Sequence, residues 1–121
     1  MQITLPCAQC GRPAAAFTVH AAGEGDGLWR DHDRIERAGF MGVVIKFGSL
    51  ESLAQLFETL RRHDYETLRR LDADFIAFHC WECGKDYCEQ CWRIGPPEFD
   101  DGFYDCTMGI CPAGHEQMVD D

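Results

Sequence analysis

The sequence predicts a small α+β protein whose fold is stabilised by two zinc ions. Three observations lead to this prediction: the short chain, its eight cysteines, and the spacing of six of them as three CxxC pairs. A chain of 121 residues has room for one modest hydrophobic core but not for two independent ones. We therefore expect a single domain over residues 1–121, with an N-terminal zinc knuckle in 1–13, an α+β insert in 14–79 and a cysteine-rich zinc-binding part in 80–121.

The cysteines favour metal binding over disulfide bonds. The N-terminal segment has neither the basic nor the apolar region of a secretory signal, and no stretch approaches the roughly 18 apolar residues of a membrane span. We therefore expect a cytoplasmic chain in a reducing compartment, where closely spaced cysteine pairs usually bind metal. The pairs are Cys7/Cys10, Cys80/Cys83 and Cys88/Cys91, followed by Cys106 and Cys111 with four residues between them.

The insert begins with residues that predict β-structure. Residues 17–20 have β character, and a glycine-rich acidic loop follows at 23–27. The apolar run 43–45, within the segment 34–47 that also contains Phe40, predicts a buried strand. A last strand at 75–78 is expected to lead directly into Cys80.

Two helices are predicted in the second half of the insert. Ser49 can cap the first helix, whose apolar residues recur at helical spacing: Leu50, Leu53, Leu56, Phe57 and Leu60. The second helix is shorter and begins near Asp64, with Leu68 and Leu71 facing inward. These helices also contain a basic stripe, formed by Arg61, Arg62, Arg69 and Arg70. Acidic residues lie beside it in the sequence, and this pattern predicts a solvated face rather than a phosphate site.

The short links between the cysteines limit how they can share two ions. A structural zinc site uses four ligands in a tetrahedron, and a CxxC turn can direct both sulfurs at one ion. Gly11 and Gly84 each follow the second cysteine of a pair, where a tight turn often needs a positive φ. Only four residues separate Cys83 from Cys88, so we expect the pairs that flank this link to serve different ions.

Two pairings satisfy this condition. The favoured, sequential pairing puts Cys7, Cys10, Cys80 and Cys83 on one ion and leaves Cys88 and Cys91 to share the other with C-terminal ligands. The crossed pairing joins Cys7/Cys10 to Cys88/Cys91 and leaves Cys80/Cys83 for the C-terminal ligands.

Nine candidate ligands compete for eight positions. The favoured assignment uses Cys106 and Cys111, with His115 as a hydrogen-bonding partner of a ligand. The alternative uses Cys111 and His115, joined by a Pro-Ala-Gly turn, and leaves Cys106 without a metal. The other histidines lack a suitably spaced partner and are expected at the surface or in packing; they are His20, His32, His63 and His79.

The run Cys80-Trp-Glu-Cys83-Gly-Lys-Asp-Tyr-Cys88-Glu-Gln-Cys91 resembles the second half of in-between-RING and related RING-like domains, which are treble-clef-type double-zinc modules. The spacing of Cys106 and Cys111 is similar to the last ligand pair of that pattern, so the resemblance covers about residues 80–111. It implies a ubiquitin-ligase component that docks a conjugating enzyme, with Cys106 as a candidate acceptor thiol. Residues 99–115 also look like the ending of small uncharacterised bacterial proteins.

The charge of the chain restricts its partners. The formal net charge is −10, and eight thiolates with two Zn²⁺ ions would take it to about −14. Such a body repels phosphate backbones and anionic lipid headgroups. We therefore expect a protein partner rather than nucleic acid or a membrane, and a nucleic-acid-binding zinc ribbon is the weakest alternative.

The sequence favours a binding role over an enzymatic one. It contains no GxGxxG, phosphate-binding loop or nucleophile elbow, and the charged run 31–33 is expected to be a solvated loop. Two closed zinc sites would hold a protein-interaction or adaptor module, and a ligase component is the alternative. Aromatic residues near the metal could anchor a partner or cover the zinc sulfurs: Trp81, Trp92, Phe99, Phe103 and Tyr104, beside Pro96 and Pro97.

Overall fold

The computed structural model describes residues 1–39, 42–72 and 78–120, which form two compact units. The sheet–helix unit comprises Met1–Thr4, Ala16–Ala38 and Gly42–Ile76. The cysteine-rich unit comprises Leu5–Ala15, Gly39–Met41 and Ala77–Asp121. The first CxxC pair and the C-terminal cysteines therefore belong to one unit, although 69 residues separate them in the sequence. That residues 1–121 fold as a single domain stays a prediction.

Four strands form a sheet in the order β1-β2-β3-β4. They are β1 (Gln2–Pro6), β2 (Pro13–His20), β3 (Arg34–Gly39) and β4 (Gly42–Phe47). The strand predicted at 17–20 is confirmed as the end of β2, where Phe17 and Val19 are buried. The run 43–45 does form a strand, but its predicted burial is wrong because Val43 is 66% exposed. A continuous apolar run is usually buried when both faces of its strand are covered, and no residue of β4, the last strand in the sheet order, is fully buried.

Both predicted helices are present. Helix α1 (Leu50–Arg61) begins as expected, with Ser49 accepting a hydrogen bond from the Ser52 backbone N–H at 3.2 Å. Its buried stripe matches the prediction and consists of Leu53, Leu56, Phe57 and Leu60.

Helix α2 (Tyr65–Asp72) packs against α1, and its Leu68 is fully buried. Leu50 and Leu71, however, are exposed, against expectation. Both residues lie in a terminal turn, and helical spacing predicts burial only where a second element covers that part of the helix. The basic stripe on these helices is exposed, as predicted.

A fully buried arginine organises the acidic loop, and the sequence did not indicate it. The Arg34 guanidinium donates to the Glu36 carboxylate at 2.7 Å, to the Glu24 carbonyl at 2.9 Å and to the His32 carbonyl at 3.2 Å. A Cβ added to Gly25 would lie 2.6 Å from an Arg34 nitrogen, so this loop position requires glycine. The run 31–33 is a mostly exposed loop, as predicted.

The cysteine-rich unit contains short antiparallel strands around one long strand. A small hairpin joins β5 (His79–Cys80) to β6 (Lys85–Asp86). The long strand β9 (Phe103–Ile110) pairs with β7 (Arg93–Ile94), β8 (Glu98–Asp100) and β10 (Glu116–Asp120). Of the strand predicted at 75–78, residues 75–77 lie outside the described residues, and Phe78 is a buried turn residue. Among the described residues, no helix has the length and apolar character needed to cross a membrane.

Candidate metal centres

The first two CxxC pairs form the same local turn. The Gly11 N–H donates to the Cys7 carbonyl at 3.0 Å, and the Gly84 N–H donates to the Cys80 carbonyl at 2.8 Å. A second backbone N–H in each turn donates to the sulfur of the first cysteine. The Gln9 N–H donates to the Cys7 sulfur and the Cys83 N–H donates to the Cys80 sulfur, both at 3.4 Å. The predicted positive φ is confirmed at both glycines, 77° at Gly11 and 68° at Gly84.

The other two ligand pairs use different turns. The Cys91 N–H donates to the Cys88 carbonyl at 3.0 Å, which closes a tight turn after β6. Cys111 and His115 flank a turn at the start of β10, closed by a hydrogen bond from the Cys111 N–H to the His115 carbonyl at 2.9 Å. Gly114 has a φ of 92° in this turn.

These turns bring together a first group, the four-cysteine cluster, formed by Cys7, Cys10, Cys88 and Cys91. Its four sulfurs all lie within 4.8 Å of one another. The Cys10 and Cys88 sulfurs are 3.4 Å apart, and those of Cys88 and Cys91 are 3.6 Å apart. Cys7 and Cys88 are buried, whereas Cys10 is exposed.

A second group, the histidine cluster, is formed by Cys80, Cys83, Cys111 and His115. The His115 Nδ1 atom lies 3.2 Å from the Cys83 sulfur, 3.5 Å from the Cys111 sulfur and 3.8 Å from the Cys80 sulfur. The other ring nitrogen, Nε2, lies 3.2 Å from a carboxylate oxygen of Glu82. A carboxylate on the far nitrogen is the usual second partner of a metal-bound histidine because it orients the ring and selects its tautomer.

The spacing of the ligand atoms matches a tetrahedral metal site. Zinc–sulfur bonds of about 2.3 Å place two sulfurs of a tetrahedron about 3.8 Å apart, and a sulfur and an imidazole nitrogen about 3.6 Å apart. The sulfur–sulfur distances of 3.4, 3.6 and 3.7 Å, and the nitrogen–sulfur distances of 3.2 to 3.8 Å, lie close to these values. Both groups can therefore hold a metal ion with four protein ligands.

The thiol pKa values in the two clusters diverge. Burial opposes ionisation of Cys7, but backbone N–H groups of Cys88, Cys10 and Gln9 lower its pKa to about 6. Burial acts in the same way on Cys111, and N–H groups of His115 and Ala113 lower its pKa to about 7. Burial and neighbouring thiols raise the pKa of Cys80 to about 11 and that of Cys91 to about 12. Sulfurs this close cannot all ionise unless a cation balances their charge.

The cluster membership corrects the favoured, sequential pairing of the ligands. The two pairs that flank the short link do lie in different clusters, as expected, but Cys7/Cys10 join Cys88/Cys91 rather than Cys80/Cys83. A backbone hydrogen bond from the Ala8 N–H to the Asp86 carbonyl, at 2.8 Å, is consistent with this pairing. It holds the N-terminal turn beside β6, two residues before Cys88.

The structure also corrects the favoured use of Cys106. Cys106 lies in β9, outside both clusters, with its sulfur 3.5 Å from a Glu98 carboxylate oxygen. Five residues of extended chain span about 17 Å, so Cys106 and Cys111 cannot reach the same ion. His115 takes the ligand position instead. The last ligand pair therefore departs from the RING-like pattern of residues 80–111.

Polar groups beside the Cys80 turn are connected by hydrogen bonds. His79, expected at the surface or in packing, is buried, and its Nδ1 lies 2.8 Å from the Asp86 carboxylate on the paired strand β6. The Gln117 amide donates to the His79 carbonyl at 2.7 Å and accepts from the Trp81 N–H at 3.3 Å, which connects β10 to the Cys80 turn. The sequence did not indicate Glu82 or Gln117, because long-range contacts define both roles.

The aromatic residues of the cysteine-rich unit differ in exposure, and their two predicted roles stay predictions. Trp92 is buried, and its indole N–H donates to the Phe78 carbonyl at 3.2 Å. A Cβ on Gly109 would lie 3.2 Å from the Trp92 ring and 3.0 Å from Val119, so this core is closely packed. The other four aromatics are exposed: Trp81, Phe99, Phe103 and Tyr104.

Comparison with known proteins identifies a family for the whole chain. No curated protein and no solved structure matches the sequence. A family match extends from residue 1 to residue 121, and its description is a domain of unknown function, DUF8328. The chain, with its four-cysteine and histidine clusters, therefore belongs to the DUF8328 family.

Proposed function

We propose that the two clusters bind Zn²⁺ in closed structural sites, and that the cysteine-rich unit held by these ions is a protein-interaction module. One observation carries the proposal: eight ligand atoms from four separate turns gather as two groups of four, each within 4.8 Å. Seven of these atoms are cysteine sulfurs and the eighth is an imidazole nitrogen, a donor set typical of structural zinc.

Four protein ligands leave a tetrahedral zinc without an open position for water or substrate. Such an ion stabilises the fold and does not act as a Lewis acid. Structural zinc contributes on the order of 10 kcal/mol of apparent free energy to the folding of zinc-finger peptides. The short strands β5, β6 and β7, of two residues each, would depend on this contribution because they bury little apolar surface themselves.

The surface of the cysteine-rich unit supports an interaction role. Trp81, Phe99, Phe103 and Tyr104 are exposed, and exposed aromatic residues are enriched where proteins bind one another. The formal charge of −10 opposes binding to nucleic acid and to anionic lipid. Seven thiolate ligands also favour a reducing, cytoplasmic location, because oxidation to disulfides would release both ions.

Metal content and thiol reactivity, measured together, test the zinc sites. We expect two zinc ions per chain by elemental analysis, with the seven clustered thiols protected from alkylation until a strong chelator is added. Chelation should unfold the cysteine-rich unit, which circular dichroism and thermal melting would detect. Fewer than two ions per chain, or an unchanged melting temperature after their removal, would contradict the proposal.

The second candidate function is that of a ubiquitin-ligase component. Two features support it: residues 80–111 resemble RING-like domains, and one small unit contains both ligand clusters. A ligase of this kind would dock a charged conjugating enzyme through its exposed aromatic residues. The test is discharge of ubiquitin from a conjugating enzyme in the presence of the zinc-loaded protein. No acceleration over the uncatalysed rate across a panel of conjugating enzymes would reject it.

A further inference from the structure

A tight hairpin projects from the long strand β9. Strands β8 and β9 are joined by the two-residue turn Asp101-Gly102, with Asp100 paired to Phe103 at its base. Both turn residues have positive φ, 49° and 81°. This is the geometry of a type I′ turn, for which Asp-Gly is a preferred sequence. We call residues 98–105 the hairpin arm.

The arm exposes aromatic rings on both of its faces. Phe99 is paired with Tyr104, so the two side chains share one face, where their rings meet edge to face with centroids 6.1 Å apart. Phe103 belongs to the opposite face, with Asp100. Phe99 is 66% exposed and Phe103 is 78% exposed. Large apolar side chains this exposed on a short hairpin mark an interaction surface rather than a core.

Carboxylates surround these rings. Glu98, Asp100, Asp101 and Asp105 are all exposed, and the arm contains no lysine, arginine or histidine. An apolar centre with a rim of one charge is complementary to an apolar segment that carries the opposite charge.

The arm is held in place before any partner binds. The Tyr104 hydroxyl donates to the Asp120 carboxylate of β10 at 2.6 Å and lies 2.7 Å from the Thr107 hydroxyl. Strand β9 then continues to Cys111 of the histidine cluster. A preorganised surface loses less conformational entropy on binding than a flexible one does.

We propose that the hairpin arm docks a basic protein segment in which arginine alternates with apolar residues. Arginine fits this surface better than lysine because its planar guanidinium pairs with a carboxylate through two hydrogen bonds and stacks on an aromatic ring. The segment's apolar side chains would cover Phe103, which shares its face of the arm with Asp100. This inference rests on the proposed function, since the histidine cluster anchors one end of β9.

The probe is a fluorescein-labelled synthetic peptide of alternating arginine and leucine, titrated with the zinc-loaded full chain by fluorescence anisotropy. We expect saturable binding that weakens as salt is raised. Phe103→Ala and the double variant Asp100→Asn/Asp105→Asn should each weaken it about tenfold. A matched peptide with lysine in place of arginine should bind about fivefold more weakly.

Matched controls distinguish binding at the arm from a general effect of the protein's charge and exposed apolar residues. Leu28→Ala removes an 86% exposed apolar side chain from the sheet–helix unit, and Glu51→Gln/Glu66→Gln removes two exposed charges from its helices. Neither control should change the affinity by more than about twofold. Equal binding by the arm variants and these controls would overturn the proposal, as would equal binding of the two peptides.

Two further measurements make the outcome specific. Stronger binding of a single-stranded RNA of similar length than of the arginine peptide would also overturn the proposal. Zinc is counted in every sample: two ions per chain without peptide binding rejects the docking surface alone, whereas fewer than two ions rejects the proposed zinc sites.

Discussion

The four-cysteine cluster and the histidine cluster each contain one CxxC turn of the same geometry. They differ in their second pair of ligands. The first is completed by Cys88 and Cys91, which brings together turns 78 residues apart and uses sulfur ligands only. The second is completed by Cys111 and His115, joined by the turn before β10. With Zn²⁺ bound, the first would carry a net charge of −2 and the second −1.

This difference shows that a shared local turn does not determine the character of a metal site. A thiolate ligand needs only N–H groups directed at its sulfur, which the turns themselves provide. An imidazole ligand also needs a partner for its far nitrogen, and Glu82 is that partner in the histidine cluster. The two clusters should therefore respond differently to ligand removal, acid and the loss of carboxylates.

The largest expected effect is the loss of a buried ligand. Cys88→Ser should reduce the zinc content from two ions to one or fewer and unfold much of the cysteine-rich unit, because a structural ion contributes on the order of 10 kcal/mol. Cys111→Ser should act in the same way on the histidine cluster. Elemental analysis and circular dichroism measure both effects.

Cys106→Ser is the matched control for these variants because Cys106 lies outside both clusters. It should keep two ions and a melting temperature within a few degrees of the wild type. Loss of an ion from this variant would show that Cys106 is a ligand and that the cluster membership described above is incorrect.

Acid should empty the histidine cluster first. The pKa of Cys111 is lowered from 9.0 to about 7 and that of Cys7 from 9.0 to about 6. A lowered thiol pKa stabilises the folded state above the ordinary pKa, and this stabilisation is lost as the pH falls through the lowered value. In both clusters protons therefore compete with a bound cation as the pH falls, and the histidine cluster, which has three thiolates instead of four, attracts that cation less strongly.

Native mass spectrometry across a pH series would show this order as a one-ion species before complete metal loss. We expect the histidine cluster to release its ion at the higher of the two pH midpoints. His115→Cys converts the second cluster into a four-cysteine site and should bring the two midpoints together. Simultaneous release of both ions from the wild type would contradict the expected order of release.

Removing the carboxylate beside His115 should have a smaller and selective effect. Glu82→Gln should weaken metal binding at the histidine cluster about tenfold, the lower end of the range for such partners, because Glu82 is largely exposed. The matched control is Glu89→Gln, an exposed residue inside the CxxC pair of the four-cysteine cluster.

Competition with a chelator of known zinc affinity measures both variants. Because the four-cysteine cluster contains no imidazole that needs orienting, Glu89→Gln should leave its affinity within about twofold of the wild type. Equal weakening by the two variants would mean that Glu82 acts only through its general negative charge.

The smallest expected effects come from the glycines that close the first two turns. Gly11→Ala and Gly84→Ala should each destabilise the protein by about 1 to 2 kcal/mol, because both residues have positive φ. No atom lies within 4 Å of an added Cβ at either position, so the cost is backbone strain alone. Denaturant unfolding of the zinc-loaded protein measures it, and Gly→Asn should cost less at both sites.

Local features of this protein were predictable because neighbouring residues determine them. Ser49 caps α1 through an N–H three residues away, and positive φ follows the second cysteine of the first two CxxC pairs. The separation of Cys83 from Cys88 by four residues was also enough to place them at different sites. The Asp101-Gly102 turn is a local signal of the same kind.

Contacts between distant residues decided the rest. The hydrogen bond from Ala8 to Asp86 joins distant turns in the crossed pairing, and the extended strand β9 separates Cys106 from Cys111. The burial of Arg34 depends on carbonyl groups of a loop that precedes its strand. The sequence by itself determined that the chain would form CxxC turns, two helices and two sites. Only tertiary structure decided which turns meet, because many chain paths satisfy the same spacing while long-range hydrogen bonds and strand pairing stabilise one of them.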